Sequence, residues 1–500
     1  MDSFNDSSLS AYFPGLVDVC INDDGQLIYV ILKNGELVCS QEQITETEIF
    51  SIPEKKHFPF AVPRATEVMH YFNQEDHALY DDVLSYLKRF SALDDEQWAI
   101  VAHYVFLTYL HDHPAIDYCP YLLFNAVPER GKSRTGKSVS YIAFRGIHLV
   151  ELREANVFRY SQNLHGTLFF DLMDLSKKAE RGNCDDILLS RFEKGANCLR
   201  VLYPDQGAFN DTVYYDIYGP TIIASNKQVN DILETRCLPI TMPNRPGNYE
   251  NPRPELALEL KERLTTWRAK NLHAEFADMK PIEGISGRLW DITKSLFLIN
   301  SLLPVDFHIL EESILDIAGE KDESRKGTVE GRLFAVIREI INKEGLDRFA
   351  EWSIKVSDIR AGYNQDKPED RQVSSQWIGK RLKSMSFRNR IVRGYSEIKI
   401  DQHEYATLLK QYGYVERDLS KPTETLPEKD EQIREGWKEV ESGREPEPES
   451  IPYFNSPGER EFYYEMVLKL KEQEGKSQIE AERLANEAME EWRRQDEIPF

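Results

Sequence analysis

Residues 131–138 read Gly-Lys-Ser-Arg-Thr-Gly-Lys-Ser: a glycine, four residues, a second glycine, then a lysine and a hydroxyl. That spacing suits the binding of a polyphosphate. Gly131 and Gly136 free the backbone to turn the amides of Lys132, Ser133, Arg134 and Thr135 onto phosphate oxygens. Lys137 brings a positive charge to the β and γ phosphates, and Ser138 offers a hydroxyl to a magnesium ion. The apolar run 121–124 precedes the pattern and a helical pattern follows it, so the loop is expected between a buried strand and the positive end of a helix. The ligands implied are ATP and Mg²⁺.

Such a magnesium ion needs an acid at the tip of a neighbouring strand. The run Leu168-Phe169-Phe170 ends in Asp171. Read as a strand buried on both faces, it delivers Asp171 to hold the ion with Ser138; the other role open to Asp171 is capping the next helix. Asp174, and more distantly Glu129 at the loop entrance, are the acids available to polarise an attacking water. The short apolar strand 221–225 ends near Asn226, which either bonds the γ-phosphate or its water, or opens a turn. About ten residues on, Arg236 either reaches the γ-phosphate of a nucleotide on a neighbouring subunit or makes a surface salt bridge.

Positioning these groups calls for a multidomain α/β chain. Residues 1–60 alternate apolar and polar positions around the turns Asp23-Asp24-Gly25 and Asn34-Gly35, the pattern of a small antiparallel β domain. Residues 61–115 carry apolar positions at helical spacing and form a helical prelude. In 116–250, short apolar runs alternate with helical patterns, as in an α/β core with a parallel sheet. A helical lid is expected over 251–320, closing at a polar break at 319–324. Residues 327–415 show helices and then a short ribbon, in the order of a winged helix. Lys380, Arg381 and Lys383 on its helix and Arg388, Arg390 and Arg393 on its ribbon make a local positive face, suited to a DNA groove and its phosphates. Protein contacts or lid packing are the other uses of such a fold. Residues 416–455 read as a disordered acidic linker and 456–500 as a helical hairpin.

The bulk properties set outer bounds. The chain has 500 residues, 41% hydrophobic and 29% charged, a profile of soluble globular domains rather than of a disordered or fibrous chain. Its net charge is −23, and from Glu416 onward 24 acidic residues face 13 basic ones, a net of −11. That excludes coating nucleic acid over the whole surface and leaves room for a local basic face. No run of eighteen apolar residues occurs, and the amino terminus MDSFNDSSLS is acidic and serine-rich, so no membrane partner and a cytoplasmic location are expected. The six cysteines form no CxxC pair and are expected as buried free thiols. His111-Asp112-His113 lacks further ligands and reads as a polar loop before Pro114.

Taken together, GKSRTGKS, TLFFD, TIIASN and ETRCL resemble the AAA+ ATPases, and particularly the helicase-like ATPases associated with primases and replication in phages, plasmids and integrated elements. The resemblance spans roughly residues 120–243. GKSRTGKS matches Walker A, TLFFD matches Walker B, TIIASN looks like sensor 1 and ETRCL is similar to the arginine-finger box. It implies an ATPase and helicase-like activity on DNA, assembly into a homo-oligomeric ring such as a hexamer, and a primase or other replication protein as partner. Gly287-Arg288-Leu289-Trp290-Asp291 resembles the start of the lid, which makes Arg288 a sensor 2 candidate. One departure stands out: the family's catalytic glutamate would fall at position 172, which is Leu. Two other classes therefore stay open, a nucleotide-gated DNA-binding or scaffold protein with little hydrolysis, and a packaging motor or transposition regulator using the same site.

Overall fold

Five short apolar segments pair into one parallel sheet. They are β1 (Tyr121–Asn125), β2 (Ile147–Leu149), β3 (Leu168–Leu172), β4 (Thr221–Ser225) and β5 (Cys237–Thr241), in the spatial order β5-β1-β4-β3-β2. The computed structural model describes residues 7–44, 48–127, 129–207, 210–245, 247–344, 351–365, 367–392 and 394–414. The inner strands β1, β4 and β3 are buried almost throughout, as a sheet covered on both faces requires. Register aligns Tyr121, Thr221 and Leu168 in one row, and Asn125, Ser225 and Leu172 in another. The carboxyl ends of the central strands therefore share one edge. Pro239 sits in β5, which pairs with β1 at the edge of the sheet, and an edge strand tolerates its missing N–H.

Helices cover the sheet. α1 (Asp95–Leu110) starts at the Asp94–Gln97 capping box and is buried from Trp98 to Leu110; apolar on every side, it belongs in the interior. The Tyr104 hydroxyl donates to the Thr221 carbonyl and accepts from the Thr221 amide, both at 2.8 Å, tying α1 to the start of β4. The Tyr109 hydroxyl donates to the Ile142 carbonyl at 2.9 Å, at the end of α2 (Lys132–Ile142). α3 (Leu175–Gly182) follows β3. Between α3 and β4 the chain makes an antiparallel hairpin, Asn197–Val201 with Thr212–Asp216, outside the main sheet. Its Leu199, Val201 and Tyr214 are exposed and face outward.

Two buried arginines bind the amino-terminal strands to this core. Leu16–Ile21, Leu27–Lys33 and Glu36–Ser40 form one antiparallel sheet. Arg268, on α4 (Leu258–Asn271), donates to the Leu16 and Val17 carbonyls at 2.9 and 2.8 Å and to both carboxylate oxygens of Asp112 at 2.6 and 2.7 Å. Arg145 donates to Asp18 at 2.7 Å and to the Leu164 carbonyl at 2.8 Å. The polar loop expected at 111–113 is instead a buried turn: His111 and His113 are buried and Asp112 is the counter-ion of Arg268. Tyr12 stacks on His165 at 3.7 Å, and burial pushes that imidazole down to about 3, which leaves it neutral.

α5 (Gly287–Asn300) and α6 (Phe307–Gly327) share the apolar core of the sheet. The break expected at 319–324 is absent, because α6 runs through it. Its polar last turns are held by the pairs Arg325–Asp322 and Lys326–Glu323, three residues apart and on one helix face. A separate apolar core follows, built by α7 (Val329–Glu344), β6 (Glu351–Lys355), α8 (Val356–Asn364), α9 (Ser375–Ser384) and, beyond the exposed strand β7 (Asn389–Val392), β8 (Tyr395–Asp401) and α10 (Gln402–Gln411). Its strands form an antiparallel sheet in the order β6-β8-β7. The linker 416–455, the hairpin 456–500 and Arg393 lie outside the described residues. Five of the six cysteines are buried and Cys39 is exposed. Among the described residues no helix is long and apolar enough to cross a membrane.

Burial alone would lift the Asp112 carboxyl, but the charge and hydrogen bonds of Arg268 override it and hold Asp112 well below the usual carboxylate range. Its folded pKa is depressed, so its contribution is complete above the unfolded value of about 3.9 and is lost as pH falls below it. Asp112→Asn leaves Arg268 buried without a counter-ion and is expected to cost about 3–5 kcal/mol at pH 7. Urea unfolding of both proteins measures this, and the difference should shrink below about pH 4.

Candidate nucleotide site

The 131–138 motif follows the carboxyl end of β1. Gly131 takes φ +85° as the cap of α2, and the helix begins at Lys132. The phosphate loop expected over 132–135 is thus wound as the first turn of α2, with the Thr135 amide on the Gly131 carbonyl at 2.9 Å. Neither glycine nor proline interrupts Lys132, Ser133, Arg134 and Thr135, so nothing in their backbone stops the helix once Gly131 starts it. The first-turn amides of Lys132, Ser133 and Arg134 have no carbonyl within the helix to bond.

Gly136 has a packing reason. A Cβ there would meet the Phe169 ring at 2.5 Å, and Phe169 is fully buried in β3. Without a side chain at 136, α2 lies directly on β3, and Ser133 donates to Asp171 Oδ1 at 2.8 Å. Ser138, expected as the partner of Asp171, is buried and donates to the Thr135 carbonyl at 2.8 Å. The Thr135 hydroxyl contacts Ser91 Oγ at 2.7 Å and the Gly131 carbonyl at 3.0 Å. Lys137 is half-buried.

His148 is a site residue that the sequence reading missed. It pairs in register with Phe169, lies on that ring at 4.9 Å, and has a buried Nε2 without a partner. Burial first and then the Lys137 charge lower its pKa, against the opposing pull of Asp171. A neutral imidazole thus stands among the groups expected to meet phosphate and magnesium. As the polar residue in an apolar triplet, Ile147-His148-Leu149, it carries no spacing signal.

At the neighbouring strand tips, Asp174 caps α3, accepting from the Lys177 amide at 3.1 Å, and pairs with Lys227 at 2.9 Å. The Lys227 and Lys177 bonds hold its carboxyl below the usual range, which makes it a weak base. Asn226 donates its amide to the Met173 carbonyl at 3.3 Å, and its side-chain Oδ1 is buried without a partner. Leu172 points into the core. Glu129 is exposed, with φ +68°. Arg236 and Arg288 lie elsewhere, both against the Phe192 ring.

In the carboxyl-terminal core, Lys380, Arg381, Lys383, Arg388 and Arg390 are all exposed. Ile378 and Leu382 turn inward on α9, which leaves its basic residues outside. Arg381 is paired with Glu330 at 3.2 Å.

Fold and site thus define an α/β protein whose glycine-lysine-serine motif stands at the carboxyl edge of a five-stranded parallel sheet. No protein-family model and no curated protein matches the chain. Among solved structures it is similar to SCCmec type IV Cch, described as an active helicase, at 14% identity over 76% of this chain and 78% of that one, with a TM-score of 0.33. It is also similar to two apo structures of the NrS-1 C-terminal region, at 10% and 11% identity over 75% and 77% of this chain and 94% and 96% of those, with TM-scores of 0.33 and 0.34. Scores this low leave the functional reading to the geometry of the site.

Gly136→Ala forces a methyl into a ring that cannot retreat. It is expected to destabilise the protein by about 1–3 kcal/mol and to break the Ser133–Asp171 contact; thermal unfolding measures the first effect and nucleotide affinity the second.

Proposed function

We propose that this chain binds and hydrolyses ATP with Mg²⁺ and acts on DNA as a helicase-like ATPase of the AAA+ type. The observation that carries the reading is the gathering of the 131–138 motif and Asp171 at the carboxyl edge of a parallel sheet, where such folds bind ligands. The amides of 132–136 and the Lys137 ammonium hold the phosphates. The Ser133–Asp171 hydrogen bond of 2.8 Å brings the start of α2 up to the Asp171 carboxylate. Asp171 with Ser138 would hold magnesium and supply charge neutralisation there, after an opening of the first turn of α2 that costs on the order of 1 kcal/mol for each helical hydrogen bond exchanged. Asn226, with its unpaired Oδ1, positions the attacking water, and Asp174 is the nearest acid. When bound, the ion neutralises charge developing on the phosphate oxygens.

The carboxyl-terminal core is read as a winged helix, with α9 in a DNA groove and the β7–β8 ribbon on phosphates. A homo-oligomeric ring, a primase or other replication partner and a role in mobile-element replication follow from the resemblance stated above. A second reading has its own support: Leu172 is buried where a catalytic glutamate is expected, and Asp174 is committed to Lys227. Both favour a nucleotide-gated DNA-binding protein with slow turnover.

Steady-state hydrolysis with and without DNA separates the two. DNA-stimulated turnover that falls at least about a hundredfold in Lys137→Ala is expected; ATP binding with turnover no greater than that of the variant would establish the second reading. On the DNA side, Lys380→Ala, Lys383→Ala and Arg390→Ala should each weaken binding across sequences and reduce the salt slope by about 1. Fluorescence-anisotropy titrations at several salt concentrations measure it.

A further inference from the structure

The β7–β8 ribbon ends in exposed apolar side chains. Ile391 is 84% exposed, Tyr395 58% and Val392 40%. The ribbon is anchored at its base, where Phe387 and Ile398 are buried and the Asn389 side-chain amide donates to the Gly379 carbonyl of α9 at 3.1 Å. Asn389 faces Ile398, and the register then sets Arg390 against Glu397, Ile391 against Ser396 and Val392 against Tyr395. Alternation puts Ile391 on the face of Asn389, beside α9, and Val392 with Tyr395 on the opposite face. The tip is therefore apolar on both sides. A single exposed apolar residue is ordinary, but these three share one projecting end, and covering the Ile391 side chain alone would gain about 1.5–3 kcal/mol.

Positive charge flanks the tip. On α9 the exposed residues Gln376, Lys380 and Lys383 recur at helical spacing beside Gly379, to which Asn389 is bonded. The ribbon thus leaves the core next to that basic stripe. Arg388 and Arg390 are exposed along the ribbon, and Lys355 Nζ lies 5.2 Å from the centre of the Tyr395 ring. Glu397 stands in register with Arg390 on one side and Lys355 on the other, Glu351 is taken by Lys399 and Glu330 by Arg381. Among the described residues Lys380, Lys383, Arg388 and Arg390 close no ion pair. An apolar tip framed by cations matches a polyanion with an apolar interior, phosphates outside and base planes within. Inside a continuous duplex an apolar wedge must first unstack a base step, at a cost of a few kcal/mol. Where duplex becomes single-stranded, the last base pair already exposes one face, so the tip can stack there without that cost. A base on an aromatic ring gains about 1–3 kcal/mol.

We propose that Ile391, Val392 and Tyr395 receive the terminal base pair at a junction of double- and single-stranded DNA, with Lys380, Lys383, Arg388 and Arg390 on the flanking phosphates. The proposal rests on the DNA reading of this core and names the form of DNA it takes. It gives the ribbon tip a task apart from phosphate contact, that of holding the point at which two strands part.

Fluorescence anisotropy with the full-length protein tests it on three probes: a duplex with one single-stranded tail, the same duplex closed by short loops at both ends, and the single strand. The wild type is expected to bind the tailed duplex at least about tenfold more tightly than the closed one. Ile391→Ala and Tyr395→Ala should each lower that ratio at least about fivefold. Tyr395→Phe, which keeps the ring, should preserve it, and Lys383→Ala should weaken both duplexes alike. Thermal midpoints equal to wild type exclude misfolding as the cause. 2-Aminopurine in the terminal pair reports the contact itself: its fluorescence should change on binding the wild type and not on binding Tyr395→Ala. Equal affinity of the wild type for both duplexes, a single strand bound as tightly as the tailed duplex, or a ratio indifferent to both tip variants would overturn the proposal and leave the DNA reading in place. Binding to none of the probes would overturn the DNA reading and the proposal with it.

Discussion

The Phe169 ring fills the space that a side chain at position 136 would need, and the candidate site depends on that contact. Because glycine stands there, α2 lies against β3 closely enough for Ser133 to bond Asp171. Phe169 also supplies the surface on which His148 rests. One buried ring therefore sets the spacing of a hydroxyl, a carboxylate and an imidazole contributed by α2, β3 and β2. The lysine of the motif follows Gly136 directly, so its position is set by the same contact.

The parallel sheet gives the molecule two chemically different edges. At the carboxyl edge stand the 131–138 motif, Asp171, Asn226 and Asp174, a mixture of donors, acids and unpaired polar atoms. At the amino edge stand Arg236 and Arg288 on Phe192. Parallel pairing separates them, since every strand must run the same way between its crossovers. The buried pairs Arg268–Asp112 and Arg145–Asp18 hold the amino-terminal strands to the same core.

Much of the candidate site was legible in the sequence because its signals are local. The glycine-lysine-serine spacing, the apolar run before Asp171 and the strand before Asn226 each announce an element and its tip, and the parallel α/β sheet follows from their alternation. What escaped depends on long-range packing. The start of α2 at Lys132 turns on helical bonding that glycines at 131 and 136 do not prevent. Asp112 looked like a loop residue because its partner, Arg268, lies 156 positions away. His148 gains its meaning from a ring on the next strand. The polar stretch 319–324 looked like a break, yet ion pairs one turn apart keep it helical. Arg288 was matched by motif as a sensor 2 candidate, and its place beside Arg236 on the Phe192 ring carries no signal in the sequence.

The central claim is that residues 131–138 and Asp171 form a magnesium-dependent nucleotide-phosphate site, and equilibrium binding of ATP tests it without requiring turnover. Calorimetric titration of the full chain, with Mg²⁺ and with a chelator, would be compared with Lys137→Ala and Asp171→Ala. The account predicts saturable binding by the wild type, weakened at least about tenfold by Lys137→Ala, a loss of about 1.4 kcal/mol or more. It also predicts a magnesium dependence that disappears in Asp171→Ala. Equal affinity in all three proteins, or binding indifferent to the metal in the wild type, would contradict it.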